Sequence, residues 1–129
     1  KSITKRTILS QIAKLYDPLG LLGPVILKAK IIMQSLWSLK LSWDEPVPEE
    51  LESKWNCYTQ QLSQLETISI PRYITDVNTK FNCSIAEIHA FCDASKNGYG
   101  ACVYLRHQTP NDKIVVNLLC SKARVSPLK

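Results

Sequence analysis

The chain has 129 residues, which is enough for one ordinary domain or two small ones. Hydrophobic residues make up 45% of the chain and charged residues 21%, a globular composition that argues against disorder. The formal net charge of +5 is a mild basic bias, compatible with a polyanionic partner but shared by many unrelated domains. No apolar run reaches the roughly 20 residues that a membrane span needs, and no signal peptide begins the chain. We therefore expect no membrane partner and no secretion.

The cysteines indicate the redox environment. The chain has five of them, and none forms a CxxC pair or lies at zinc-ligand spacing from His89 or His107. Most stand among apolar neighbours, where a free cysteine behaves as a small hydrophobic residue. We expect a reducing, intracellular location, cytoplasmic or nuclear, without structural zinc or a disulfide framework.

Three helices are predicted in the first half. The first covers residues 7–16 and ends at the turn Asp17-Pro18-Leu19-Gly20. Its apolar face comprises Ile8, Ile12, Leu15 and Tyr16. The second, largely buried, runs from Gly23 to about Lys40. The third follows Pro48, and its apolar stripe comprises Leu51, Trp55, Tyr58, Leu62 and Leu65. Such a stripe is far more typical of a core than of a cofactor site.

Strands are predicted in the second half. Residues 68–70 read as a short strand, and residues 76–82 are rich in turn formers. Residues 85–92 are apolar on both faces, which suits a buried central strand. Strands at 100–106 and 114–120 follow after short turns, which favour an antiparallel meander. The predicted fold class is therefore α+β, a helical N-terminal half followed by an antiparallel three-stranded meander.

One aspartate stands where the first strand of the meander ends. The run Phe91-Cys92-Asp93-Ala94-Ser95 places Asp93 after an apolar strand and before a turn that contains glycine. A carboxylate held on rigid β-structure suits a divalent cation such as Mg²⁺, which prefers oxygen ligands. The alternative is an Asx turn that caps an ordinary hairpin. The local pattern leaves both interpretations open.

Several stretches together resemble one family. Phe91–Ser95, Gly98–Ala101 and Leu119–Val125 resemble the opening of the ribonuclease H domain in BEL/Pao-type LTR retrotransposon pol polyproteins. In the first half, Tyr16–Gly20 and Trp43–Glu45 resemble the segment that follows the reverse transcriptase palm in those proteins. The resemblance covers nearly the whole chain. It divides the chain into a helical thumb- or connection-like segment of reverse transcriptase at 1–72 and the N-terminal part of a truncated ribonuclease H-like domain at 84–129.

The resemblance implies a function for the parent protein. Ribonuclease H domains hydrolyse the RNA strand of an RNA–DNA hybrid with about four carboxylates and two Mg²⁺ or Mn²⁺ ions. Asp93 would be the first of these catalytic, metal-binding carboxylates, and the others are expected beyond Lys129. The chain is therefore expected to be a pol polyprotein fragment that is inactive alone and binds no metal tightly. Its expected partners are an RNA–DNA hybrid or primer–template duplex and the remainder of the polyprotein.

Four basic residues are candidates for nucleic-acid binding. Lys5 and Arg6 on the first helix could neutralise phosphates, with a solvated helix face as the alternative. Lys122 and Arg124, just after the third predicted strand, could contact the hybrid or could merely cover the edge of the sheet.

The sequence bears on two other interpretations of this region. The same region is also described as a Pao retrotransposon peptidase, but a retroviral-type aspartic protease needs Asp-Thr-Gly or Asp-Ser-Gly, and neither occurs in the sequence. The alternative function is a domesticated or decayed module without catalytic activity that binds nucleic acid or a protein.

Overall fold

The computed structural model describes residues 2–72 and 85–128. Within these residues, three α-helices and a 3₁₀ helix precede a single three-stranded sheet. The elements are α1 (Lys5–Ile12), α2 (Gly23–Ser38), α3 (Glu49–Gln61), the 3₁₀ helix (Leu62–Thr67), β1 (Ala86–Ala94), β2 (Gly98–Gln108) and β3 (Ile114–Val125). The predicted α+β class and the antiparallel meander are confirmed. The turn-rich stretch predicted at 76–82 lies outside the described residues.

The first helix begins two residues earlier than predicted and ends earlier. Thr4 caps α1 through a reciprocal pair of hydrogen bonds with Thr7, which satisfies amide groups at the start of the helix. The helix ends at Ile12, before the turn at Asp17, so the predicted extension to Tyr16 is wrong. Tyr16 is 87% exposed. The earlier start brings Lys5 into the first turn of α1.

The helices build one apolar core. Its buried members are Ile8, Ala29, Ile32, Met33, Leu36, Val47, Leu51, Trp55 and Tyr58. They come from all three α-helices and from the loop that joins α2 to α3. The stripe predicted on the third helix is confirmed for its first three residues. The sequence also predicts an apolar face on the second helix that includes Leu36 and Leu39, but Leu36 is buried and Leu39 is half exposed. No helix in the described ranges is both long and apolar enough to cross a membrane.

The sheet has the order β1-β2-β3, with both pairs antiparallel. The centre of the sheet is therefore β2, and β1 is an edge strand with every residue exposed. The predicted buried central position of residues 85–92 is wrong, because the described residues cover neither face of β1. The predicted strand at 68–70 is also wrong, since this segment joins no sheet.

The loop before α2 docks on β3. Ser121 donates a backbone hydrogen bond of 2.8 Å to the carbonyl of Leu19, and its hydroxyl donates to the carbonyl of Gly20. Further along α2, the Gln34 amide donates to the carbonyl of Ser126 at 2.6 Å. The helical part and the sheet are thus joined by direct hydrogen bonds. The division into a reverse transcriptase segment and a ribonuclease H-like segment stays a prediction.

Candidate metal and nucleic-acid site

Asp93 lies inside β1, because the strand continues to Ala94, beyond the end predicted from the sequence. Asp93 pairs with Gly100 of β2. Its Oδ1 accepts a hydrogen bond of 2.8 Å from the backbone amide of Ala94, and the side chain is exposed to solvent. Gly100 has no side chain to cover the carboxylate from the neighbouring strand. Asp93 therefore presents a carboxylate with one oxygen held by the backbone.

The hairpin turn after Asp93 is held by Ser95. The backbone amide of Ser95 donates to the carbonyl of Gly98 at 2.8 Å, and its hydroxyl donates to the same carbonyl at 3.0 Å. The amides of Asn97 and Gly98 both donate to the Ser95 hydroxyl. The turn has its own cap, so the Asp93 carboxylate is not needed to close it. This geometry weakens the alternative in which Asp93 serves as a turn residue.

A groove of about 460 Å³ extends from Asp93 to the start of α2. Pro24 and Leu27 line it from the helix, and Phe91 and Cys102 line it from the sheet. A Cβ at Gly98 would approach the Leu27 side chain to 3.1 Å, so glycine permits the close contact between helix and sheet here. The groove is largely apolar, and Asp93 is the acidic side chain that lines it.

The other acidic residue of β1 is engaged elsewhere. Glu87 is six residues before Asp93 on the same face, roughly 20 Å away along the strand. It contacts His89 at 3.1 Å and Arg106 at 3.0 Å. The hydrogen bond with His89 and the charge of Arg106 lower the pKa of Glu87. Among the described residues, no group of three His, Cys, Asp or Glu side chains could hold a metal ion.

Lys122 and Arg124 lie on the opposite face of the sheet from Asp93. Gly100, the partner of Asp93, pairs on its other side with Ala123. Because side chains alternate along a strand, the two residues that flank Ala123 point away from the face that carries Asp93. Both side chains are exposed, so they could contact a phosphate. The structure does not bring these predicted residues together with the Asp93 carboxylate.

Lys5 and Arg6 have partners within the protein. Lys5 is only 7% exposed, and its ammonium donates to the carbonyl of Leu41 at 2.8 Å. Arg6 makes a two-pronged ion pair with Asp44, at 2.7 and 2.9 Å, and the hydrogen bond lowers the pKa of that aspartate. The Lys5 side chain is thus buried, whereas the Arg6 side chain is exposed and forms an ion pair with Asp44. A nucleic-acid contact by either residue stays a prediction.

Tyr99 was not among the residues predicted to contribute to the site. Tyr99 is 44% exposed and pairs with Arg124 across β2 and β3. The strand predicted to begin at Gly100 begins at Gly98 instead, so Tyr99 is part of the sheet. Because aromatic residues favour strands, Tyr99 beside the short turn was a signal that the strand begins before Gly100.

A family model described as Pao retrotransposon-like RNaseH-like domain matches residues 4–129, across both the helices and the sheet. Comparison with curated proteins gave no significant match, and neither did comparison with solved structures. The resemblance to a Pao-type retrotransposon pol region, drawn from the sequence motifs, is confirmed by the family match. The chain belongs to the Pao retrotransposon-like RNaseH-like domain family.

Proposed function

We propose that this chain supplies the first metal-binding carboxylate, Asp93, of a ribonuclease H site in a Pao-type pol polyprotein. The site would hydrolyse the RNA strand of an RNA–DNA hybrid. The observation that carries the proposal is the exposed Asp93 carboxylate on β1, in a chain whose family is RNaseH-like. The turn beside it is closed by Ser95, which leaves Asp93 free for another role.

The residues present fit one part of such a metal site. A carboxylate oxygen is the ligand that Mg²⁺ and Mn²⁺ prefer, and Oδ2 of Asp93 accepts no hydrogen bond in the described part of the chain. When bound, a pair of such ions would activate a water molecule and stabilise the leaving oxygen. A single carboxylate binds these ions weakly, so the remaining ligands would come from other parts of the polyprotein.

The contribution of this chain is to hold the carboxylate in place. The Ala94 amide fixes the Oδ1 atom of Asp93 at 2.8 Å. Behind it, the backbone amide of Ser126 donates to the carbonyl of Asn97 at 3.0 Å, which fastens the hairpin to the end of β3. Gln34 of α2 binds the Ser126 carbonyl. The helical part therefore supports the hairpin that carries Asp93.

Mutation of Asp93 in the pol polyprotein tests the proposal. Asp93→Asn keeps the size of the side chain but removes the charge, and it is expected to abolish Mg²⁺-dependent cleavage of an RNA–DNA hybrid. Hybrid binding should stay close to that of the wild type. The matched control is Asp112→Asn in the turn between β2 and β3, which should cleave normally. Full cleavage by Asp93→Asn would show that Asp93 is not a metal ligand.

The same assay addresses the alternative function. A domesticated or decayed module would bind nucleic acid or a protein partner without cleaving the hybrid. If wild-type polyprotein binds the hybrid but does not cleave it with Mg²⁺ or Mn²⁺, the binding module becomes the function and the catalytic proposal fails.

A further inference from the structure

Charged side chains are divided between the two faces of the sheet. The register of the three strands places both acidic strand residues, Glu87 and Asp93, on one face, together with Arg106. The other face carries Lys122 and Arg124 of β3. No acidic residue of the described strands shares this second face. Its local charge is therefore positive, although the sheet as a whole is mixed.

The two cations of this face have no ion-pair partner among the residues that the structure describes. The ion pairs found among the described residues involve Arg6, Lys54, His89 and Arg106, and neither Lys122 nor Arg124 takes part. Both side chains are exposed. They are two residues apart on one strand, so their backbones are separated by roughly 6.5–7 Å and both point the same way. Unpaired neighbouring cations can neutralise successive phosphates of one strand.

An aromatic ring lies beside the cations. Tyr99 pairs directly with Arg124, which brings their Cβ atoms to within about 5.5 Å on the same face. Its ring is 44% exposed. The ring contacts found in the part of the chain that the structure describes do not include Tyr99, with either an aromatic or a cationic partner. Tyr99 is therefore accessible to a stacking partner.

Tyr99, Lys122 and Arg124 line a common groove. It has a volume of about 720 Å³, and Tyr99, Lys122 and Arg124 line it with small residues between them. Those small residues include Ala94 and Ala101, which leave room above the sheet. The groove also reaches Asp93 on β1, a strand whose residues are all exposed.

We propose that Tyr99, Lys122 and Arg124 form a binding surface for single-stranded nucleic acid, on the face of the sheet opposite the Asp93 carboxylate. One base would stack on Tyr99, and Lys122 and Arg124 would bind the adjacent phosphates. An exposed ring favours a single strand, since the bases of a duplex already stack on each other. The inference rests on the proposed function in taking nucleic acid as the partner, but it does not depend on Asp93 as a metal ligand.

Fluorescence anisotropy with a labelled oligouridine of about 12 nucleotides tests this surface in the full chain, without divalent metal. Tyr99→Ala should weaken binding about 5- to 100-fold, the usual effect of losing one stacked base, while Tyr99→Phe should bind like the wild type. The control is Tyr16→Ala, which removes a ring that is 87% exposed but lies outside the sheet. Unchanged affinity in Tyr99→Ala would overturn the stacking contact.

The cations are tested by salt dependence. The double variant Lys122→Gln/Arg124→Gln should bind more weakly, and the slope of log affinity against log salt should fall by about 1.4, or 0.7 for each phosphate contact. Lys54→Gln/Lys14→Gln makes the same change in net charge away from the sheet and should leave the slope near the wild-type value. Equal slopes for the two double variants would overturn the phosphate contacts.

Two competitors decide the kind of partner. A blunt RNA–DNA hybrid of equal length should compete less well than the single strand, and polyglutamate should not compete at comparable charge concentration. Equal or better competition by either would overturn the assignment to single strands. The oligouridine assay contains no divalent metal and measures no cleavage, so a failure of the cleavage proposal and a failure of this surface are measured separately. Far-ultraviolet circular dichroism confirms that each variant is folded.

Discussion

The ammonium group of Lys5 donates a hydrogen bond of 2.8 Å to the carbonyl oxygen of Leu41. The same nitrogen lies 4.9 Å from the centroid of the Trp37 ring and 5.8 Å from that of Trp43. The backbone amide of Arg6 also donates a hydrogen bond of 3.1 Å to the carbonyl oxygen of Trp43. Lys5 therefore fastens the start of α1 to the loop that follows α2.

Lys5→Ala is expected to lower the free energy of unfolding by about 2–5 kcal/mol. The estimate combines a charged hydrogen bond worth about 1.5–3 kcal/mol with a cation–π contact of about 0.5–2 kcal/mol. Urea denaturation followed by tryptophan fluorescence measures the change. Lys14→Ala, which removes an exposed lysine, should stay within about 0.5 kcal/mol of the wild type. A loss below about 1 kcal/mol for Lys5→Ala would mean that the inward contact contributes little.

The exposed pair of Arg6 and Asp44 should contribute much less than Lys5, with a defined pH dependence. The hydrogen bond from Arg6 lowers the pKa of Asp44 in the folded protein. The stabilisation by this ion pair is therefore fully present at pH values above the ordinary pKa of aspartate. It is lost as the pH falls through the lowered pKa of Asp44. Because the side chains are 63% and 72% exposed, salt should screen the effect.

The urea midpoints of wild type and Asp44→Asn, followed against pH, measure this effect. The difference between the two should be constant near neutral pH, shrink in acid and shrink again in about 1 M salt. A difference that grows on acidification would contradict the sign of the pKa change.

The helical core was the most predictable part of the fold. Leu51, Trp55 and Tyr58 follow one another at helical spacing, and all three are buried. Amphipathic periodicity depends only on local sequence, so it identifies a core-facing helix without knowledge of its partner. The exposure of β1 could not be predicted in the same way. Apolar residues on both faces of a strand indicate that other segments can pack against it, but the sequence of the strand does not say whether they do.

The position of Asp93 near the end of a strand was predictable from the sequence, and the arrangement of the residues around it was less so. A carboxylate after an apolar strand is visible in the sequence, whereas the face on which Lys122 lies depends on the register between β2 and β3. That register shifts at Val103 and Tyr104, and no local pattern fixes such an irregularity. The burial of the Lys5 side chain was also not predicted, because lysine is rarely buried and Leu41, which accepts its hydrogen bond, is 36 residues away along the chain.

Asp17 closes the loop before α2, and its removal should destabilise the protein. The carboxylate oxygens accept hydrogen bonds of 2.8 Å from the backbone amides of Leu21 and Leu22. Asp17→Ala should cost about 1–2 kcal/mol, as for loss of a helix cap, and Asp17→Asn should cost less because an amide oxygen still accepts. Thermal denaturation measures the loss, and hydrogen exchange should quicken at those two amides. Glu66→Ala, an exposed substitution, is the control. Unchanged exchange in Asp17→Ala would exclude this role.

Gly20 permits the contact between that loop and β3, and substitution should break it. Its φ angle is +73°, and a Cβ atom would lie 1.8 Å from the carbonyl oxygen of Ser121. Gly20→Ala should therefore cost about 2–5 kcal/mol, from the left-handed conformation and from steric overlap. Gly100→Ala, whose Cβ would lie 3.1 Å from the Lys122 carbonyl oxygen, should cost less.

In Gly20→Ala the new Cβ atom would clash with the backbone carbonyl oxygen of Ser121, and a second variant tests this explanation. Ser121→Ala removes the hydroxyl that donates to the Gly20 carbonyl but leaves the Ser121 carbonyl oxygen in place. The double variant Gly20→Ala/Ser121→Ala should therefore be no more stable than Gly20→Ala alone when both are unfolded in urea. Recovery of stability in the double variant would show that the hydroxyl, and not the backbone, limits the approach of the loop to β3.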